Sequence, residues 1–66
     1  MTLTVNEALN AHPTATVGWW TSEDGSGSLD MTGATVAEAV AELTERACSD
    51  DNDRAAIMAG TFEILD

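Results

Sequence analysis

The stretch Thr35-Val36-Ala37-Glu38, with the apolar stripe behind it, leaves this chain the least freedom. The Thr35 hydroxyl can accept from the Glu38 amide while the Glu38 carboxylate reaches back to the Thr35 amide, a capping box that opens a helix. Val36, Val40, Leu43 and Ala47 then recur at spacings of 4, 3 and 4, one stripe of a helix. Glu38, Glu42 and Glu45 fall on the opposite face. Alanines at 37, 39 and 41 favour the helix and keep its flanks thin, so another backbone can come close. Gly33, just before the cap, permits a sharp chain reversal. The helix is expected to end near Cys48, because Ser49-Asp50-Asp51-Asn52-Asp53 cannot bury an apolar face. Ser49 or Asp50 would cap a second helix running to about Met58, with acids in its first turn where the helix dipole favours them. Ile57 and Met58 are its inward candidates, and Gly60 fits the C′ position that ends it.

Upstream, Thr4-Val5-Asn6-Glu7 repeats the capping-box pattern, with Leu3 placed as a hydrophobic staple against Ala8. A short helix from Val5 to about Ala11 is expected, ended by Pro13; the alternative is a strand over Thr2 to Val5. Ala15 to Thr21 is rich in β-branched and aromatic residues and reads as a strand. Simple alternation puts Val17 and Trp19 on one side of it and Thr16, Gly18 and Trp20 on the other. Ser22 to Ser28 is a polar glycine-containing turn, Leu29 to Thr32 a second strand, and Thr61 to Leu65 a third. The expected fold is a single α+β domain over 1–66, a three-stranded antiparallel sheet with helices on one face, in the order α-β-β-α-α-β. Its core would be Val17, Trp19, Leu29, Met31, Val36, Val40, Leu43, Ile57, Phe62 and Ile64.

Charge sets the second constraint. Twelve acids against two arginines and no lysine give a formal charge of −10 on 66 residues. Such a chain repels itself, more so at low salt, and buries only about 60% of its unfolded surface. Direct binding to nucleic acid or to an anionic membrane is not expected, because both would repel it; a basic partner is. Glu42 with Arg46, and Asp50 with Arg54, are i,i+4 pairs in the favourable order, each contributing roughly 0.2–0.5 kcal/mol. Both basic residues would then be neutralised locally. Glu38 has a capping role, and Asp51 and Asp53 a dipole role, but Glu45 sits near a helix C-terminus where a negative charge is mildly unfavourable. The same composition also suits a small acidic viral or halophilic structural or assembly protein whose charge serves solubility. No basic n-region or transmembrane-length apolar run is present, and a single cysteine suits a reducing compartment. The initial Met and self-contained length read as a complete chain, expected to be a monomer.

No motif for catalysis or a cofactor emerges. Cys48 and His12 lack the spacing and oxyanion site of a nucleophilic pair; Cys48 reads as a small core residue and His12 as a helix end. An EF-hand starting at Asp51 would need Gly where Ala56 stands and Glu where Phe62 stands, so the acidic run reads as a helix cap. Gly25-Ser26-Gly27 lacks a phosphate-loop lysine, and Glu23 and Asp24 beside it would repel a phosphate. Trp19 and Trp20 point opposite ways in a strand, so one is core and the other is covered by the N-terminal helix or exposed as an interface anchor. With Trp19 in the core, Trp20 is the anchor candidate.

The whole chain resembles small phage-encoded anti-CRISPR proteins, most closely the type I-C inhibitors. The likeness rests on its length, its acidity, and the order of short helix, Trp-Trp hairpin, capped Ala/Glu helix and terminal Thr-Phe-Glu-Ile-Leu strand. It supplies no residue-by-residue correspondence. It implies a non-enzymatic inhibitor in the bacterial host cytoplasm that lodges on a basic DNA-binding subunit of a CRISPR-Cas surveillance complex (Cascade) and excludes target DNA. In that reading the acidic surface mimics DNA. Glu38, Glu42 and Glu45 would step by roughly 4.5–6 Å along the helix, comparable with DNA charge spacing of about 3.4 Å per strand. Asp50, Asp51, Asp53, Glu23, Asp24 and Trp20 complete the expected partner-binding set.

Overall fold

The computed structural model describes residues 1–47 and 49–66. The reading of Cys48 as a core side chain therefore lies outside the described residues. The chain runs β1 (Thr2–Thr4), α1 (Val5–Ala11), β2 (Val17–Thr21), β3 (Ser28–Asp30), α2 (Val36–Ala47), α3 (Asp51–Ala59) and β4 (Thr61–Ile64). The expected α+β class holds, but the sheet has four antiparallel strands, in the order β1-β4-β2-β3. The extra strand is β1, and the sequence alternatives of strand and helix at the N-terminus both occur. Thr4 resolves them: it pairs with Thr61 as the last residue of β1, and its extended backbone (φ −63°, ψ 153°) is also what an N-cap requires. Its hydroxyl accepts from the Glu7 amide at 3.1 Å.

The C-terminal strand is inserted between β1 and β2. Phe62 pairs with Leu3 on one side and Trp20 on the other and is fully buried. Val17, Ile64 and Phe62 form the inner face of the sheet, covered by Val5 and Ala8 of α1, Val36, Ala39 and Leu43 of α2, and Ile57 of α3. The three helices also pack on one another. On α2 it is Ala39 that is fully buried, with Val40 at the margin of the core. The small side chain there lets the helix approach closely.

Two core expectations are overturned. Trp19 is 50% exposed and Leu29 41% exposed. The cause in the first case is a β-bulge. Between its pairings with Ile64 and Phe62, β2 advances from Val17 to Trp20, three residues against two on β4. The additional residue reverses the alternation, so Val17 and Trp20 share the inner side and Trp19 turns outward. Leu29 pairs with Trp20 and so lies on the inner side, but β3 is the edge strand and its burial there is incomplete.

Several local expectations are met. Thr35 and Glu38 make both bonds of the capping box, at 3.0 and 3.2 Å. Gly33 takes a positive φ of 95° before it. Asp50 caps α3, accepting from the Asp53 amide at 3.0 Å. Gly60 ends α3 differently from expectation: its φ is −73°, so no left-handed cap is formed. What demands glycine is proximity. A Cβ there would stand 2.6 Å from the Thr21 carbonyl oxygen and 2.5 Å from Trp20 Nε1. Gly60→Ala should therefore destabilise the protein by about 1–3 kcal/mol through overpacking, read as a lower urea midpoint at unchanged slope.

Candidate functional site

Several of the acidic groups are held by local backbone geometry that the sequence dictates. Along α2, Glu38 is exposed and engaged by Thr35, and Glu42 forms a 3.0 Å ion pair with Arg46. Glu45 is exposed and, among the described residues, its side chain makes no hydrogen bond or ion pair. The α2–α3 junction follows. Asp53 accepts from the Ser49 hydroxyl at 2.6 Å and the Ser49 amide at 3.0 Å, Asp50 is the cap, and Asp51 is exposed in the first turn.

The hairpin turn supplies the third acidic segment. Asp24 Oδ1 accepts from the Ser22 hydroxyl, the Ser26 amide and the Ser26 hydroxyl at 2.9, 3.0 and 2.7 Å. Gly25, at φ 77°, lets the chain turn around it. The fold carries this turn to α3: Ser22, Glu23, Asp24 and Ala56 line one depression. Ala56 is three residues beyond Asp53, on the same side of the helix. The tertiary structure thus brings the turn acids toward the α3 acids.

Trp20 has a structural position. It is half-buried against the core, and its Nε1 donates to the Ile57 carbonyl at 3.3 Å, tying β2 to α3. The exposed tryptophan is Trp19, opposite Asp30 on the face of the sheet turned away from the helices. Glu63 is exposed on that face too, between buried Phe62 and Ile64. Sequence reasoning missed this outer group because it assumed an unbroken strand. Gly18, an isolated glycine in a strand, is the signal that points to a bulge or a close approach.

Four carboxyls are acidified by donors aimed at them. Asp24 is lowered to about 2, first by the Ser26 amide and then by the Ser26 and Ser22 hydroxyls. Asp30 is lowered by the Thr32 hydroxyl and amide, Glu38 by the Thr35 amide and hydroxyl, and Asp53 by the Ser49 hydroxyl and amide. In each the donors favour the ionised form, so the turn, β3, α2 and α3 each carry a carboxylate whose negative charge is stabilised in place.

His12 is exposed at the C-cap of α1. Among the described residues, no three His, Cys, Asp or Glu side chains are grouped to hold a metal ion. No helix of the described residues is long and apolar enough to cross a membrane. Comparisons with family models, curated proteins and solved structures find no match. What the surface offers chemically is a set of fixed carboxylates on one small body.

The charge has a consequence for stability against pH. Adding protons to a molecule of charge −10 relieves its self-repulsion. The four acidified groups act in the opposite sense. Their folded pKa lies below the unfolded value, so their contribution is complete above the unfolded pKa and lost as pH falls through the folded one. For Asp24 that window runs from 3.8 to about 2. Urea midpoints should rise on acidification from neutral pH, pass a maximum, and fall steeply below it; Asp24→Ala should flatten the acid limb. A monotonic fall from pH 7 would contradict this balance.

Proposed function

We propose that this protein is a non-enzymatic anti-CRISPR inhibitor that occupies a basic DNA-binding surface of a type I Cascade complex, with type I-C as the expected system. The observation that carries the reading is the excess of solvent-facing carboxylate left after local structure has used what it needs. Glu23 and Glu45 are exposed and, among the described residues, serve no cap, turn or ion pair, and Asp51 is exposed with only a first-turn dipole role. Natural surfaces do not need such groups for helix stability, and in the free protein they add repulsion.

A lysine- or arginine-lined groove relieves that repulsion and releases the counterions it would otherwise hold. The longest dimension of the fold is 30 Å, so one copy covers at most about nine base-pair steps of 3.4 Å. Inhibition on this scale comes from blocking part of a DNA path. The α2 row (Glu38, Glu42, Glu45) leads into the α3 acids (Asp50, Asp51, Asp53), with the turn acids (Glu23, Asp24) beside α3. Glu42 contributes less than its neighbours because Arg46 already pairs with it.

The test is competition between this protein and fluorescent target DNA for purified type I-C Cascade. Excess protein should abolish DNA binding, and its affinity should fall steeply with salt. The double change Glu45→Lys with Asp51→Lys should weaken inhibition by about tenfold or more without altering the circular dichroism spectrum. Undisturbed DNA binding at saturating protein would dismiss the type I-C target, and a charge that serves solubility would then be the better account.

A further inference from the structure

The face of the sheet away from the helices carries a second, chemically different surface. Trp19 is half exposed there, and across the β2–β3 ladder its register partner is Asp30. Residues paired in register share a face. On the other flank, Glu63 of β4 reaches over Gly18: a Cβ at Gly18 would collide with Glu63 Oε1. Leu65, itself half exposed, also covers Gly18, at 3.5 Å from the same Cβ position. The bare glycine thus lets a carboxylate lie down on the sheet beside an exposed indole. Asp30 is held by Thr32 through its amide at 3.0 Å and its hydroxyl at 2.5 Å, which fixes it as an anion on the far side of the ring.

An indole face between two carboxylates matches one common side chain. A guanidinium is planar and always charged; it stacks on the ring and donates in-plane to flanking carboxylates. We propose that this outer face receives an arginine from a basic protein partner. A second copy of this chain is a poor occupant, because each carries −10 and the chain has two arginines, one already paired with Glu42. The surface lies on the opposite side of the sheet from α2, so it does not depend on the acidic helical face or on the type I-C target.

The experiment is an NMR titration of the labelled protein with a capped tetra-arginine peptide and, at matched ionic strength, a tetra-lysine peptide. The protein has two tryptophans, and so two indole N–H signals, assigned with Trp19→Phe. The Trp19 signal should move with the arginine peptide and much less with lysine, while the Trp20 signal stays. Trp19→Ala should weaken arginine-peptide binding by about 2–5-fold, the range for an exposed ring; Trp19→Phe, which keeps an aromatic face if the alanine variant unfolds, should weaken it less. Glu63→Gln should weaken it more than Glu45→Gln, although both remove one charge. Equal binding of the two peptides, or equal effects of the two glutamate changes, would overturn the proposal in favour of diffuse charge. A dimer in sedimentation that Trp19→Ala dissolves would overturn it in favour of a second copy.

Discussion

The fold depends on the insertion of β4 between β1 and β2. Until Thr61–Ile64 is in place, β1 and the β2–β3 hairpin have no common neighbour. Phe62 is the side chain that makes the insertion favourable: it is fully buried, with Leu3 and Trp20 across the two ladders. Gly60, one step before the strand, removes the Cβ that would keep α3 and β2 apart. The Trp20 bond to Ile57 sits at the same join. A chain of this size has little core to spare, so this junction concentrates much of what holds the helices to the sheet.

Against that small core stands a charge of −10. The structure manages it by giving many carboxylates local work. Thr35, Ser49, Thr32, Ser22 and Ser26 donate to Glu38, Asp53, Asp30 and Asp24. Each carboxylate so engaged sharpens a cap or a turn, which offsets the repulsion it brings. The charge itself is undiminished, because a hydrogen bond from an amide or hydroxyl leaves the carboxylate ionised. The result is a body on which Asp24, Asp30, Glu38 and Asp53 are fixed in direction before any partner arrives. Pre-ordered charge loses less entropy on binding than charge on mobile side chains.

The two surfaces proposed for partners differ in how far the sequence discloses them. The helical acids were legible, because a capping box and a 3.6-residue period place Glu38, Glu42 and Glu45 without knowledge of the rest of the chain. The approach of Glu23 and Asp24 to α3 was not, since it depends on where the hairpin packs. Trp19 was misplaced, and with it the whole outer face, because one additional residue in β2 inverts every side chain beyond it. The three-residue β1 is hard to see in the sequence for a related reason: a strand that short has almost no period to read, and its pairing partner lies at the other end of the chain.

The sequence by itself determined the helices, their N-terminal caps, the hairpin turn and the net charge; the helices, caps and turn rest on interactions between residues a few positions apart. Local hydrogen bonds and helical periodicity carry that information within a short window. Only the tertiary structure decided the fourth strand, the central place of β4, the bulge, and which tryptophan faces the solvent. Those rest on pairings between residues some 40 to 60 positions apart, such as Val17 with Ile64 and Thr2 with Glu63. In such pairings the register is chosen by the joint burial of Phe62, Val17 and Ile64, and no single segment contains that choice.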